Sequence, residues 1–184
     1  MRVISGRLGG RRLTAPRGSS TRPTTDRVRE ALFSALGDVG GLVVCDLYAG
    51  TGALGIEALS RGADRAVFIE SGRPALTALR ENLSSLGLDS LAVVIPLPAE
   101  RALGRLTPES RFDLVFLDPP WAELDAAVDV TARLAHLGLL VPDSRVVLEH
   151  ARRDTPPAIA GLTLSAARTY GDTAISLYTL PVSS

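Results

Sequence analysis

The chain has 184 residues, 46% of them hydrophobic, with twenty basic and twenty acidic side chains and a formal net charge of zero. That size suits one domain with a single substantial core, and the lack of any long apolar run excludes a membrane-spanning reading. One cysteine, Cys45, excludes a disulfide framework, and no His/Cys cluster offers a metal site. The start, MRVISGRLGG, lacks the hydrophobic region of a signal peptide, so a cytoplasmic protein is expected.

The zero net charge hides an asymmetry. Residues 1–29 hold eight arginines (Arg2, Arg7, Arg11, Arg12, Arg17, Arg22, Arg27 and Arg29) and one acid, Asp26, and the chain contains no lysine. A basic arm on an acidic body suggests a polyanionic partner, and guanidinium suits bidentate phosphate contact; a merely solvated basic surface is the plainer alternative. Residues 2–14 read as a short β-hairpin turning at Gly9-Gly10, which makes 1–23 a basic extension and loop ahead of a domain over 24–184. Thr24 or Thr25 can cap a helix whose apolar positions are Val28, Ala31, Leu32, Ala35 and Leu36, leaving Arg22, Arg27 and Arg29 near its start to meet phosphate or a cofactor carboxylate.

Val43 to Gly62 reads as strand, glycine turn and helix. Gly50, Gly52 and Gly55 satisfy G-x-G-x-x-G, and the helix opening near Ala53 turns unpaired N–H groups toward whatever lies above the strand. This turn alone does not separate a dinucleotide from S-adenosylmethionine. A second strand, Ala66 to Ile69, ends at Glu70, about twenty residues past the turn, where an acid can accept hydrogen bonds from ribose hydroxyls. Pro74 opens a helix with Leu76, Leu79, Leu83 and Leu86 on its buried face; Leu91 to Ile95 make a third strand, and Glu100 to Arg105 a short helix. Phe112 to Leu117 is a fourth strand, Leu124 to Ala135 a crossover helix, and Arg145 to Leu148 a fifth strand. Two further runs, Leu162 to Tyr170 and Thr173 to Leu180, are joined by Gly171-Asp172, a hairpin signal. The expected fold is therefore α/β: five parallel strands finished by an antiparallel pair, with helices on both faces.

Ligands in such sheets sit beyond the carboxyl ends of the strands. Those ends present Asp46, Glu70, the segment around Pro98-Ala99-Glu100, and Asp118-Pro119-Pro120-Trp121. Two prolines hold the backbone extended and leave the carbonyls of Asp118 and Pro119 without helix or sheet partners. An exocyclic amine needs such a surface: Asp118 and the Pro119 carbonyl accept its two N–H bonds while Trp121 stacks on the base.

DLYAGTGALGIEALSRGA, Glu70 and DPPW resemble the class I S-adenosylmethionine-dependent methyltransferases of exocyclic amines. With RVISGRLGGRRL, TRPTTDRVREALFSAL and YGDTAISLY, the chain is similar over nearly its whole length to the bacterial 16S rRNA guanine 966 N2-methyltransferase family. The resemblance implies a Rossmann-like, seven-stranded sheet with the last strand inserted antiparallel, and a flipped guanine held by Asp118, Pro119, Pro120 and Trp121. It further implies S-adenosylmethionine over Asp46, Tyr48, Gly50, Thr51 and Gly52, its ribose on Glu70, with Thr25 also in contact. Where the family carries an acidic or amide residue near the adenine, this chain reads IPLPAERAL, so Glu100 or the backbone near Ala99 takes that place. Arg2, Arg7, Arg11, Arg12, Arg22, Arg27 and Arg29 become the expected RNA contacts, with 16S rRNA in the small subunit, or an assembly intermediate of it, as partner; a monomer suffices.

Rival readings remain at this level. Another exocyclic amine, on DNA adenine or protein glutamine, fits the same chemistry. A nicotinamide-dependent oxidoreductase shares the glycine turn but gives DPPW no role, and a non-catalytic RNA-binding module would need the arginines without the turn.

Overall fold

The computed structural model describes residues 1–16, 25–107 and 110–181. Helix α1 (Asp26–Leu36) precedes β1 (Val43–Asp46), α2 (Ala53–Ser60), β2 (Arg65–Ile69), α3 (Arg73–Ser85) and β3 (Ala92–Ile95). Then come α4 (Ala99–Ala102), β4 (Phe112–Leu117), α5 (Leu124–His136), β5 (Leu140–Ala151), β6 (Thr163–Tyr170) and β7 (Thr173–Thr179). One seven-stranded sheet runs in the order β3-β2-β1-β4-β5-β7-β6. Strands β1 to β5 are mutually parallel, and β7 lies antiparallel to both of its neighbours, β5 and β6. Strand order reverses between β1 and β4, which opens a crevice beyond their carboxyl ends. No helix among the described residues is long and apolar enough to cross a membrane.

Apolar runs of this density belong to strands covered on both faces. Val44, Phe68, Leu114 and Phe116 point to the face covered by α1, α2 and α3; Cys45, Ile69, Val115 and Leu117 point to the face with α4 and α5. Asp113, the one charge inside β4, accepts a hydrogen bond from Val43 N (2.8 Å) and so satisfies the start of β1.

Three details depart from expectation. Strand β5 begins five residues before Arg145, because the ladder with β4 continues across a bulge where Asp143 takes the left-handed region (φ 61°). Helix α1 buries Arg29, Leu32, Phe33 and Leu36, while Ala35 faces solvent. The front arm does not turn in two residues at Gly9-Gly10. A single bridge joins Arg2 to Arg12, and the bend holds a 3-10 turn, Gly6–Leu8. Its wider bend lies against α2: Ile4 N and Ser5 N donate to the two carboxylate oxygens of buried Glu57 (2.7 and 3.0 Å), and Leu8 N donates to Ser60 Oγ (3.0 Å). Val3 and Leu13 join the same core cluster as α1 and α2, so this arm packs as part of the core.

Candidate active site

Sequence and topology converge on the crevice between β1 and β4. Leaving β1, the chain stays pinned to both neighbours: Leu47 N donates to Phe116 O and Ala49 N to Ile69 O, each at 3.0 Å. Gly52 N then closes the turn on Ala49 O (2.7 Å). Gly52 is left-handed (φ 82°), and a Cβ there would lie 2.5 Å from Leu79 Cδ1. At Gly55 a Cβ would collide with the Phe68 ring, so glycine is what lets α2 rest on β2. At Gly50, by contrast, a Cβ would meet nothing within 4 Å.

Asp46 sits beneath this turn and is buried. Its Oδ2 accepts from Gly55 N (3.0 Å) in the first turn of α2, and its Oδ1 has no partner. Burial pushes the carboxyl up to about 7; the Gly55 N–H opposes this, and the nearby Glu70 charge adds to it. An unpartnered buried carboxylate oxygen is an unmet acceptor, suited to a cationic or N–H-bearing ligand. Glu70 is the brace of the turn: its Oε2 accepts from Gly50 N (2.8 Å), and its Oε1 from Ser71 N (2.9 Å) and Gly72 N (2.7 Å). Tyr48 carries a second buried atom without a partner, its hydroxyl. Burial, with the charges of Glu100 and Glu123, raises that phenol to about 12. Those two acids belong to α4 and to the 3-10 turn Trp121–Glu123, so charges from both segments reach Tyr48.

After β4 the chain runs through Asp118, Pro119 and Pro120 without regular structure. Asp118 is half-buried, Pro119 buried, and Pro120 exposed. Among the described residues no backbone amide donates to the Pro119 carbonyl, whereas Pro120 O accepts from Glu123 N (2.7 Å) to open the 3-10 turn Trp121–Glu123. Trp121 is 48% exposed. The Arg153 guanidinium stands over that ring at 5.9 Å from its centroid. Arg153 comes from the loop after β5, a contact that the linear pattern does not announce.

The outlying candidates divide. Thr25 caps α1, its Oγ1 accepting from Val28 N (3.3 Å). Ala99 and Glu100 open α4 beyond β3, Ala99 buried and Glu100 exposed. Arg2, Arg7, Arg11, Arg12 and Arg27 are exposed, and Arg2 and Arg27 flank a groove of about 430 Å³ between the arm and α1, which Asp26 and Glu30 share. Arg22 lies outside the described residues. Arg29 is corrected: its side chain is fully buried, donating to Asp26 Oδ1 (2.9 Å) and to the Arg2 carbonyl, so it holds the arm on α1 and offers nothing to a ligand. Its spacing from Leu32, Phe33 and Leu36 is the signal that would have placed it inside. Also missed was Asn82, buried on α3, which bonds to both Thr14 and Thr51.

A cavity of about 110 Å³ elsewhere is lined by the first residues of β1 and β2, Val43 and Arg65, at the opposite end of the sheet. It holds none of these groups.

Residues 1–179 match the family model described as Conserved hypothetical protein 95. The Bacillus subtilis (strain 168) protein YlbH is 40% identical over 182 residues, spanning 97% of this chain and 98% of that protein. Ribosomal RNA small subunit methyltransferase D of Escherichia coli (strain K12) is 35% identical over 182 residues, 97% of this chain and 89% of its own. The solved structure of yhhF from Escherichia coli is 33% identical, with a TM-score of 0.85 covering 100% of this chain and 99% of that one. Matched along its length by the family model and by these relatives, the chain belongs to the Conserved hypothetical protein 95 family and, within it, stands with the ribosomal RNA small subunit methyltransferase D proteins.

Proposed function

We propose that this protein transfers a methyl group from S-adenosylmethionine to the exocyclic N2 amine of a guanine, guanine 966, in the 16S rRNA of the small ribosomal subunit. One observation carries the reading: the glycine turn and the Asp118-to-Trp121 turn leave adjacent strands at the switch point of the sheet. A cofactor on the first faces an amine on the second. The name of the Escherichia coli relative supports the substrate class.

The residues present fit the cofactor. Asp46 Oδ1 is an unmet buried acceptor, a Cβ at Gly50 would meet nothing within 4 Å, and α2 opens directly after the turn that follows β1 with its first N–H groups. Asp46, Tyr48, Gly50, Thr51, Gly52 and Glu70 would hold it, with Ala99 and Glu100 beside the adenine and Thr25 from the start of α1. When bound, S-adenosylmethionine supplies an electrophilic methyl group on a sulfonium.

The chain's own work is placement. Asp118 and the Pro119 carbonyl accept the two N–H bonds of the amine and so aim its lone pair across the crevice. Near-attack alignment of this kind is worth up to about 7–11 kcal/mol. Extruding the base costs a few kcal/mol, and stacking on Trp121 returns about 1–3 kcal/mol of it. Asp118 receives a proton only from an amine that has become cationic, so ordinary carboxylate basicity suffices. Arg2, Arg7, Arg11, Arg12 and Arg27 contact phosphates around the arm and fix the orientation of the RNA.

Transfer of labelled methyl from S-adenosylmethionine to small subunits from cells lacking the endogenous enzyme, followed by mapping of the modified base, tests the proposal. Label on the N2 amine of one guanine is expected. Cofactor binding without label on rRNA would refute the substrate and point to another exocyclic amine.

A further inference from the structure

Asn82 joins two parts of the molecule that the proposed reaction uses separately. It lies on α3 between Leu79 and Leu83 and is 1% exposed. Its Oδ1 accepts from Thr14 N (2.7 Å), and its Nδ2 donates both to Thr14 O (3.0 Å) and to Thr51 O (3.0 Å). To the arm, this one amide acts as a neighbouring strand, pairing both backbone groups of Thr14. To the glycine turn, it holds the carbonyl of the residue between Gly50 and Gly52.

The two grips are not independent. If the arm lifts at Thr14, Oδ1 and one N–H are stranded inside the protein, and a stranded buried polar group is costly. Rotation of the side chain toward water relieves them, and the same rotation releases Thr51. The arm is held firmly enough elsewhere to transmit this. Glu57 and Ser60 receive its backbone N–H groups, and Gly6 lies so close to the Ser60 carbonyl that a Cβ would collide with it.

We infer that Asn82 is a positioning residue coupling the seating of the arm to the geometry of the glycine turn, so that RNA on the arm and cofactor on the turn each tighten the other's binding. This rests on the roles of arm and turn proposed above. Binding linkage is reciprocal, so the same factor governs both directions.

Binding of labelled S-adenosylhomocysteine, measured with and without saturating unmethylated small subunits, reads the coupling. In the wild type, subunits tighten it roughly five- to 150-fold, the usual range for coupled sites. Asn82→Asp keeps shape and the Oδ1 acceptor but loses both donors; Thr14→Pro removes the N–H that Oδ1 accepts, from an exposed residue. Both variants weaken binding without subunits and bring the ratio toward one. Leu83→Val, which loosens α3 without touching these bonds, keeps the wild-type ratio at a lower Tm. Should Asn82→Asp fail to fold, Thr14→Pro carries the test. A ratio near one in the wild type, a wild-type ratio in Thr14→Pro, or its loss in Leu83→Val overturns the inference. A wild type that binds neither ligand refutes the proposed function and the inference with it.

Discussion

Replacing Asp46 with Asn probes the proposed cofactor site through stability, before any turnover is measured. Burial raises this carboxyl from 3.8 to about 7, with the Gly55 N–H pulling it down and the Glu70 charge pushing it up. The folded state therefore holds the proton more tightly than the unfolded chain. Stability from this group is full below about pH 3.8 and falls as pH rises toward about 7, where the folded carboxyl ionises as well. At about 1.36 kcal/mol per pH unit, the interval amounts to about 4 kcal/mol at neutral pH. Asp46→Asn keeps an oxygen for Gly55 N and never ionises. In urea unfolding, wild type and variant should coincide near pH 4 and diverge up to about pH 7, the variant being more stable by about 4 kcal/mol, with a constant gap above that. The buried charge that costs stability is the one a cationic ligand offsets. Wild-type affinity for S-adenosylmethionine should accordingly rise with pH up to about 7, while Asp46→Asn binds weakly and without that dependence. Parallel stability curves would refute the buried ionisation, and unchanged cofactor affinity in the variant would remove Asp46 from the site.

The other predictions concern the proposed RNA contacts and the arm. Asp118→Ala should abolish methyl transfer to unmethylated small subunits while calorimetry still detects cofactor binding; unchanged turnover would end its role. Trp121→Ala should lower kcat/KM about five- to 150-fold, the equivalent of the 1–3 kcal/mol expected from a stacked base, with little change in Tm because the ring is half exposed. Arg12→Ala should reduce the slope of log affinity for subunits against log salt by about 0.7–0.9 at unchanged Tm. Arg29→Ala should do the reverse, lowering stability in urea unfolding because it empties a fully buried position and releases Asp26 and the Arg2 carbonyl that the guanidinium holds.

Why some of this was readable and some not follows from the range of each interaction. The strand–turn–helix unit around Gly50 is local: strand run, glycines and helix all lie within Val43 to Gly62, and topology then obliges Asp46, Glu70 and Asp118 to meet at one end of the sheet. Position by linear pattern failed where a polar side chain serves a distant partner. Arg29 looks like a surface charge until its i+3, i+4 and i+7 neighbours Leu32, Phe33 and Leu36 are seen to be the buried face. Asn82 gives no sign, since its partners Thr14 and Thr51 lie 68 and 31 residues away. The early start of β5 was hidden by Pro142-Asp143, which reads as a break and is a bulge within the strand. At the arm, Gly9-Gly10 resembles a tight turn, but hydrogen bonds to Glu57 and Ser60 hold open a wider bend.

The insertion of β7 between β5 and β6 sets the order in which the molecule can form. Strands β6 and β7 are joined by two residues and pair locally, so they can associate as soon as both exist. The seven pairs that β7 makes with β5, from Ala151↔Thr173 to Arg145↔Thr179, are the ones that close the sheet beyond β5. Until residue 179 leaves the ribosome, β5 keeps a bare edge carrying Val146, Val147 and Leu148 beside β4, the strand that leads into Asp118. The half of the crevice that carries Asp118 to Trp121 thus gains a fully paired sheet behind it only once β7 has been made, and a chain cut short of β7 would carry an intact glycine turn on an aggregation-prone sheet.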